Sequence, residues 1–153
     1  MRLTEILKPE NVKLPLTATD KEAAIGELID LLDHNGELKD ADRVRTAVLE
    51  REATRTTGIG DGLAIPHGKT DGVDHLVMAL GRADTPIDFQ AIDGKPVSLI
   101  WLLSSPSDKT GPHIHALARV SKIMAKAAVR RKLLDATTAR EAYDLIAEQD
   151  EQV

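Results

Sequence analysis

Of the 5 histidines in this chain, His67 has the most unusual surroundings. It follows Thr57-Gly58-Ile59-Gly60-Asp61-Gly62-Leu63-Ala64-Ile65-Pro66 and precedes Gly68-Lys69, so glycines and a proline enclose it. Gly58, Gly60 and Gly62 admit tight or left-handed backbone that other residues resist. Leu63-Ala64-Ile65 is an apolar run of the length of a brief buried strand. Pro66 has no N–H to donate and is expected to end the pairing of that strand. His67 is therefore expected just past a strand end, in a loop, with Gly68 leaving its ring uncovered. A neutral imidazole is a nucleophile near pH 7, and reactive side chains are usually held on loops over a rigid scaffold. An idle, exposed histidine is the competing reading of the loop taken alone.

A second pair, His113 and His115, follows Pro112. Two residues apart, they share a face on a strand but diverge by roughly 200° on a helix. Pro112 suits the first turn of a helix, so a His-x-His metal clamp fits poorly here. On that helix His113 stacks over Leu117, Val120 and Met124, beside the buried stripe. His115 falls toward Arg119 and Lys122, the wet face, where a solvated side chain is the better reading. For His113 a helix-end role and a functional role stay equally open.

Arg51, in the last turn of a helix, and Asp61, among the glycines, complete a constellation with His67 and His113. Helix N-termini and glycine-rich loops offer unpaired N–H groups to anions. Arginine adds a planar fork for phosphate oxygens. These residue types suit a histidine that accepts and passes on a phosphoryl group, and equally one that only binds an anion.

The elements that must position them read as α/β. Leu3–Leu7 forms a helical turn halted at Pro9, and Asn11–Leu14 a short edge strand. A capping box, Thr19-Asp20-Lys21-Glu22, opens a helix with Ala24, Ile25, Leu28, Ile29 and Leu32 inward, stopped at Gly36. A second helix runs from Asp40 or Ala41 to about Glu52, with Val44, Ala47 and Val48 inward. Leu76–Leu80 is a buried strand, Ile87–Phe89 is extended, and Asp93-Gly94 marks a turn. Val97–Leu103, apolar at nearly every position, is a strand covered on both faces, ended by Ser104-Ser105-Pro106. A long helix then runs from His113 to about Ala128. The last helix opens at the box Thr138-Ala139-Arg140-Glu141, with Ala142, Leu145 and Ile146 inside. The expected fold is a small mixed β-sheet flanked by helices on both faces, in one domain spanning residues 1–153.

Composition narrows the function. The net charge of −5 argues against a nucleic-acid partner, which needs a basic face. No run is long and apolar enough to insert in a membrane, and no signal-peptide core opens the chain, so a cytoplasmic location is expected. The absence of cysteine removes disulfides, thiolate metal sites and cysteine nucleophiles. Trp101, Phe89 and Tyr143 are the only Trp, Phe and Tyr, too few for a pocket that stacks bases or sugars.

Arg51-Glu52, the Thr57–Gly68 stretch, and His113-Ile114 followed by Leu117-Ala118 together resemble a IIA protein of the bacterial phosphoenolpyruvate-dependent phosphotransferase system. The class is fructose/mannitol-type, which includes the nitrogen-regulatory IIA proteins, and the resemblance covers nearly the whole chain. It implies that His67 is the phosphorylated residue, modified on Nε2, and that His113 is a second active-site histidine helping to hold the phosphoryl group. Arg51, Thr57 and Gly68 are assigned to binding that group, with Asp61 in a supporting place where some members carry glutamate. No cofactor and no metal are called for. The donor would be the phosphorylated histidine-containing phosphocarrier protein HPr, or its nitrogen-branch equivalent. The acceptor would be a cysteine of a IIB domain on a separate chain, since no cysteine is present here. The alternative is a nitrogen-regulatory protein whose His67 phosphorylation switches binding to a target such as a kinase or an ion transporter. A weaker third reading, a metal hydrolase using His67, His75, His113 and Asp61, lacks a recognised ligand spacing.

Overall fold

The computed structural model describes residues 1–153. The strand β6 (Val97–Ser105) forms the middle of a mixed six-stranded sheet and is buried at all but one position. Antiparallel β5 (Val77–Ile87) lies on one side, with Leu80 opposite Trp101 and Val77 opposite Ser104. Beyond it, β1 (Leu7–Leu16) pairs parallel with β5 and forms the edge. On the other side β3 (Leu63–Ala64) and β4 (His67–Lys69) run in succession parallel to β6, and β2 (Gly58–Gly60) pairs antiparallel with β3.

Strand alternation divides the core in two. Leu99, Trp101 and Leu103 pack with residues of α3 (Thr110–Met124), α4 (Ala127–Asp135) and α5 (Ala139–Glu151). Ile100 and Leu102 point the other way, to α1 (Lys21–His34) and α2 (Ala41–Thr54). The expected architecture, a small mixed sheet with helices on both faces, is the observed one. The inward stripe of α1 is the expected one, each of its five apolar residues fully buried. Each of its leucines and isoleucines contributes about 1.5–3 kcal/mol by leaving water.

Several local expectations need correction. Pro9 does not halt the opening segment: a three-residue 3₁₀ turn, Leu3–Glu5, leads into a strand that contains both Pro9 and Pro15. An edge strand tolerates proline because half of its donors face away from the sheet. The cap of α1 is Asp20, not Thr19: its carboxylate accepts the Ala23 N–H at 2.8 Å. At α5 only half of the box forms. Thr138 accepts the Glu141 N–H, whereas the Glu141 carboxylate takes the N–H and hydroxyl of Thr137. The helix through His113 begins at Thr110 and ends at Met124, and α4, which the periodicity did not separate, follows after two residues. β6 runs on through Ser104 and Ser105, which pair with Gly68 and Lys69, and stops only before Pro106.

Pro66 does not end the pairing either. The register of Leu63 with Leu99 and of His67 with Leu103 is the same, so Leu63–Lys69 tracks β6 without a slip. At the proline the ladder uses its carbonyl, which accepts the Leu103 N–H at 3.0 Å. His67 therefore opens a strand next to the central one, and is not in a loop.

Candidate functional site

That strand placement decides which way His67 faces. Leu63 and Ile65 point to the α3 side of the sheet, and alternation puts His67 and Lys69 on the same side. On β6 the same parity carries Trp101 and Leu103 onward to Ser105. Gly68, between the two, faces α2: a Cβ there would lie 3.0 Å from Ala47 C and Val48 N. Gly68 thus lets β4 lie against the main chain of α2, and it lines a cleft beside His67.

His113 sits in the first turn of α3, directly over this row. Its side chain is buried, with the ring centroid 5.4 Å from that of His67 and the planes at 60°. Its Nδ1 pairs with Ser105 Oγ at 2.7 Å. His115, two residues on, is exposed. Burial, with the neighbouring His67 and the Lys69 charge, pushes His113 down to about 4, so the ring is neutral at pH 7.

His67 is half-buried. Its Nδ1–H donates to the Ile65 carbonyl at 2.7 Å, so Nε2 carries the lone pair. Burial lowers its pKa below the ordinary imidazole range. The Ile65 carbonyl opposes that shift, Arg51 reinforces it and Glu52 opposes it. The charged and titratable groups around His67 are Arg51 and Glu52 of α2, His113 of α3 and Lys69 on its own strand, with Glu50 of α2 and Arg55 just past it lining the same clefts.

His67 stands between two clefts that share Arg51 and Leu117. One, of about 250 Å³, is also lined by Arg55, Thr57 and Ile65. The other, of about 530 Å³, also takes in Lys69, Thr110 and His113. Arg51 donates to the Arg55 carbonyl at 3.0 Å. Thr57 lines the first cleft, but its hydroxyl donates to Glu52 Oε1 and its N–H to Glu52 Oε2 at 2.9 Å. A hydroxyl has one hydrogen to give, so in this arrangement Thr57 anchors the chain and has none left for an anion.

Asp61 is not brought to the site. It lies at φ 58° in the turn joining β2 to β3, its N–H on Asp93 Oδ2 and its carboxylate 3.9 Å from Arg130. Gly62 to Pro66 lie between it and His67, up to roughly 20 Å of chain. His75 lies elsewhere, with Nε2 3.7 Å from Glu37. No group of three or more His, Cys, Asp or Glu side chains is placed to hold a metal ion, so the four residues of the hydrolase reading do not converge.

Three participants were not assigned from the sequence: Glu52, Ser105 and Lys69. Glu52 had a signal, since it extends the Val44–Val48 stripe by one more helical turn. A carboxylate on a buried stripe needs partners. Ser105 had one too, being in phase with Trp101 and Leu103.

Residues 5–149 match the family model described as phosphoenolpyruvate-dependent sugar phosphotransferase system, EIIA 2. The chain is 36% identical over 146 residues to the fructose-specific EIIA component of Haloferax volcanii, covering 95% of each chain. It is 34% identical over 150 residues to the fructose-specific EIIABC component of Bacillus subtilis, where 98% of this chain spans only 24% of that protein. Among solved structures it is similar to the nitrogen regulatory protein IIA-Ntr of Neisseria meningitidis. The TM-score is 0.86 and the identity 32%, covering 94% of this chain and 98% of that one.

Proposed function

Since the chain belongs to the EIIA 2 family of phosphotransferase system components, we propose that it is a phosphoryl carrier with His67 as the transient acceptor. The donor is phosphorylated HPr or its nitrogen-branch equivalent, and the acceptor is a cysteine of a IIB protein on a separate chain. The observation that carries this reading is the 2.7 Å bond from His67 Nδ1–H to the Ile65 carbonyl, which leaves Nε2 as the nucleophilic nitrogen.

The Nε2 lone pair attacks phosphorus and forms the new N–P bond. The N–P bond to the donor imidazole breaks, and the donor ring keeps that electron pair. No proton moves on His67, so positive charge develops on its ring at Nδ1–H. The Ile65 carbonyl is aligned to stabilise that charge. Arg51, lining both clefts, neutralises phosphoryl oxygens. In the tautomer whose Nδ1 accepts the Ser105 hydroxyl, His113 has its Nε2–H free to donate to a phosphoryl oxygen. Onward transfer reverses these steps: a thiolate attacks phosphorus, and His67 leaves as a neutral imidazole. Depressed pKa values of both rings favour their neutral forms.

A second reading is supported by the likeness to IIA-Ntr: the phosphorylation state of His67 switches binding to a regulatory target. The same labelling experiment serves both. With phosphoenolpyruvate, enzyme I and HPr, one acid-labile phosphate is expected on His67 and none in His67→Ala. Labelling of the variant would refute the assignment. Discharge of the labelled protein by a IIB protein selects the carrier reading, and a stable label with altered target binding selects the regulatory one.

A further inference from the structure

We propose that Glu52 is a positioning residue for His67, holding its Nδ1-protonated tautomer through a relay of hydrogen bonds that begins at Lys21. The inference rests on His67 as the nucleophile and concerns what keeps its Nε2 unprotonated.

The relay can be followed atom by atom. Lys21 Nζ, at the start of α1, donates to Glu52 Oε2 at 2.9 Å and lies 5.3 Å from the centre of the Phe89 ring. Thr57 N–H donates to the same oxygen at 2.9 Å, and the Thr57 hydroxyl to Oε1. The Thr57 carbonyl accepts the Ile65 N–H at 3.1 Å. The Ile65 carbonyl then accepts His67 Nδ1–H. Lysine, carboxylate, threonine and isoleucine thus connect α1, the end of α2 and the residue after β3 to one ring nitrogen.

A carboxylate with 4% of its side chain exposed is an unusual ending for the stripe begun by Val44 and Val48. A leucine would pack there, but would leave the Thr57 N–H and hydroxyl without partners. Buried polar networks give uniqueness of arrangement when every member is satisfied, and here the arrangement fixed is the acceptor on which the His67 tautomer depends. Arg51 precedes Glu52 on the same helical turn, so the same anchor sets the placement of Arg51 relative to His67. The negative charge of Glu52 also favours the positive charge that develops on His67 as Nε2 bonds phosphorus.

The test uses the full chain labelled with ¹⁵N, in wild type, Glu52→Gln and Glu52→Ala. Imidazole nitrogen shifts report the His67 tautomer and its titration midpoint, and single-turnover phosphorylation by phosphorylated HPr reports the rate. The wild type is expected as the Nδ1–H tautomer. Glu52→Ala should give mixed tautomers and a rate about tenfold lower, the scale of a displaced reacting group. Glu52→Gln keeps an acceptor for Thr57 and should retain most of the tautomer, while its His67 midpoint moves to lower pH. A native-like Glu52→Ala protein with unchanged His67 shifts and rate overturns the proposal, because a role in stability alone lowers only the melting temperature. Should that variant not fold, an unchanged His67 midpoint and rate in Glu52→Gln overturn it equally. If wild-type His67 takes up no phosphate, the functional reading fails, while the ring shifts still decide the relay.

Discussion

Adding one methyl group at Gly68 tests the geometry of the site without removing any polar atom from it. A Cβ at this position would meet Ala47 C and Val48 N at 3.0 Å and Ala47 O at 3.2 Å. All three are main-chain atoms of α2, so no side-chain rotation relieves the contact. Either β4 or α2 must shift by a few tenths of an ångström. His67 rides on β4, and Arg51 lies one helical turn beyond Ala47, so the shift changes the spacing of nucleophile and guanidinium. Overpacking of this kind costs about 1–3 kcal/mol. At roughly 2–4 °C per kcal/mol for a chain of this size, Gly68→Ala should melt roughly 2–12 °C lower. Phosphorylation should slow by about tenfold, as expected when reacting groups are misplaced. Gly111→Ala is the matched control: it is the second residue of α3, with nothing within 4 Å of its added Cβ. That variant should be unchanged, or more stable by up to ~1 kcal/mol. Thermal unfolding and single-turnover labelling measure both. A Gly68→Ala protein that melts with wild type refutes the close-packing argument. So does rescue by Ala47→Gly, since trimming that side chain leaves the opposing main chain in place.

Arg51→Lys should slow labelling on the order of tenfold, the scale of one lost charged hydrogen bond; equal rates would leave Arg51 with only its bond to the Arg55 carbonyl. His113→Ala should shorten the lifetime of the phosphohistidine or impair onward transfer, and His115→Ala should leave both near wild type; the reverse result contradicts the burial of one ring and the exposure of the other. For stability against pH, the sign follows from a folded His113 held near 4 against an ordinary 6.5. Between those values the unfolded chain binds more protons than the folded one. Stability should therefore be complete above pH 6.5 and fall as pH drops toward about 4, with the depressed His67 adding in the same direction. Urea unfolding at several pH values should show a smaller drop for His113→Gln, and an equal drop refutes the placement of His113.

Much of the fold could be read from the chain because burial and periodicity agree in it. The stripe of α1, the apolar run of β6 and the stacking of His113 above Val120 and Met124 each follow from one element's own spacing. What did not follow was decided by a neighbour. Pro9 and Pro15 are tolerated because β1 is at the edge, and being at the edge is a property of the sheet. The break between α3 and α4 comes where Arg130, on α4, donates to the Met124 carbonyl at 2.7 Å. No pattern within residues 113–128 announces that bond.

The candidate site divides in the same way. His67, Arg51 and His113 were visible as residue types suited to phosphoryl chemistry, and the structure sets them around shared clefts. His67 is not in a loop because Pro66, with no N–H to donate, keeps the pairing through its carbonyl. In a parallel pair only alternate residues turn their N–H and C=O toward a given neighbour, and Pro66 is engaged there through its carbonyl. Once the pairing runs on unbroken, alternation alone puts His67, Lys69 and Ser105 on one face and leaves Gly68 to meet α2. The glycine then has a reason unconnected with anion binding, and Ser105, the last residue of β6, is the partner of His113. Asp61 shows the converse: its place among glycines made it conspicuous, but a residue that turns the chain at positive φ is held there by its backbone, one hairpin away from the histidine.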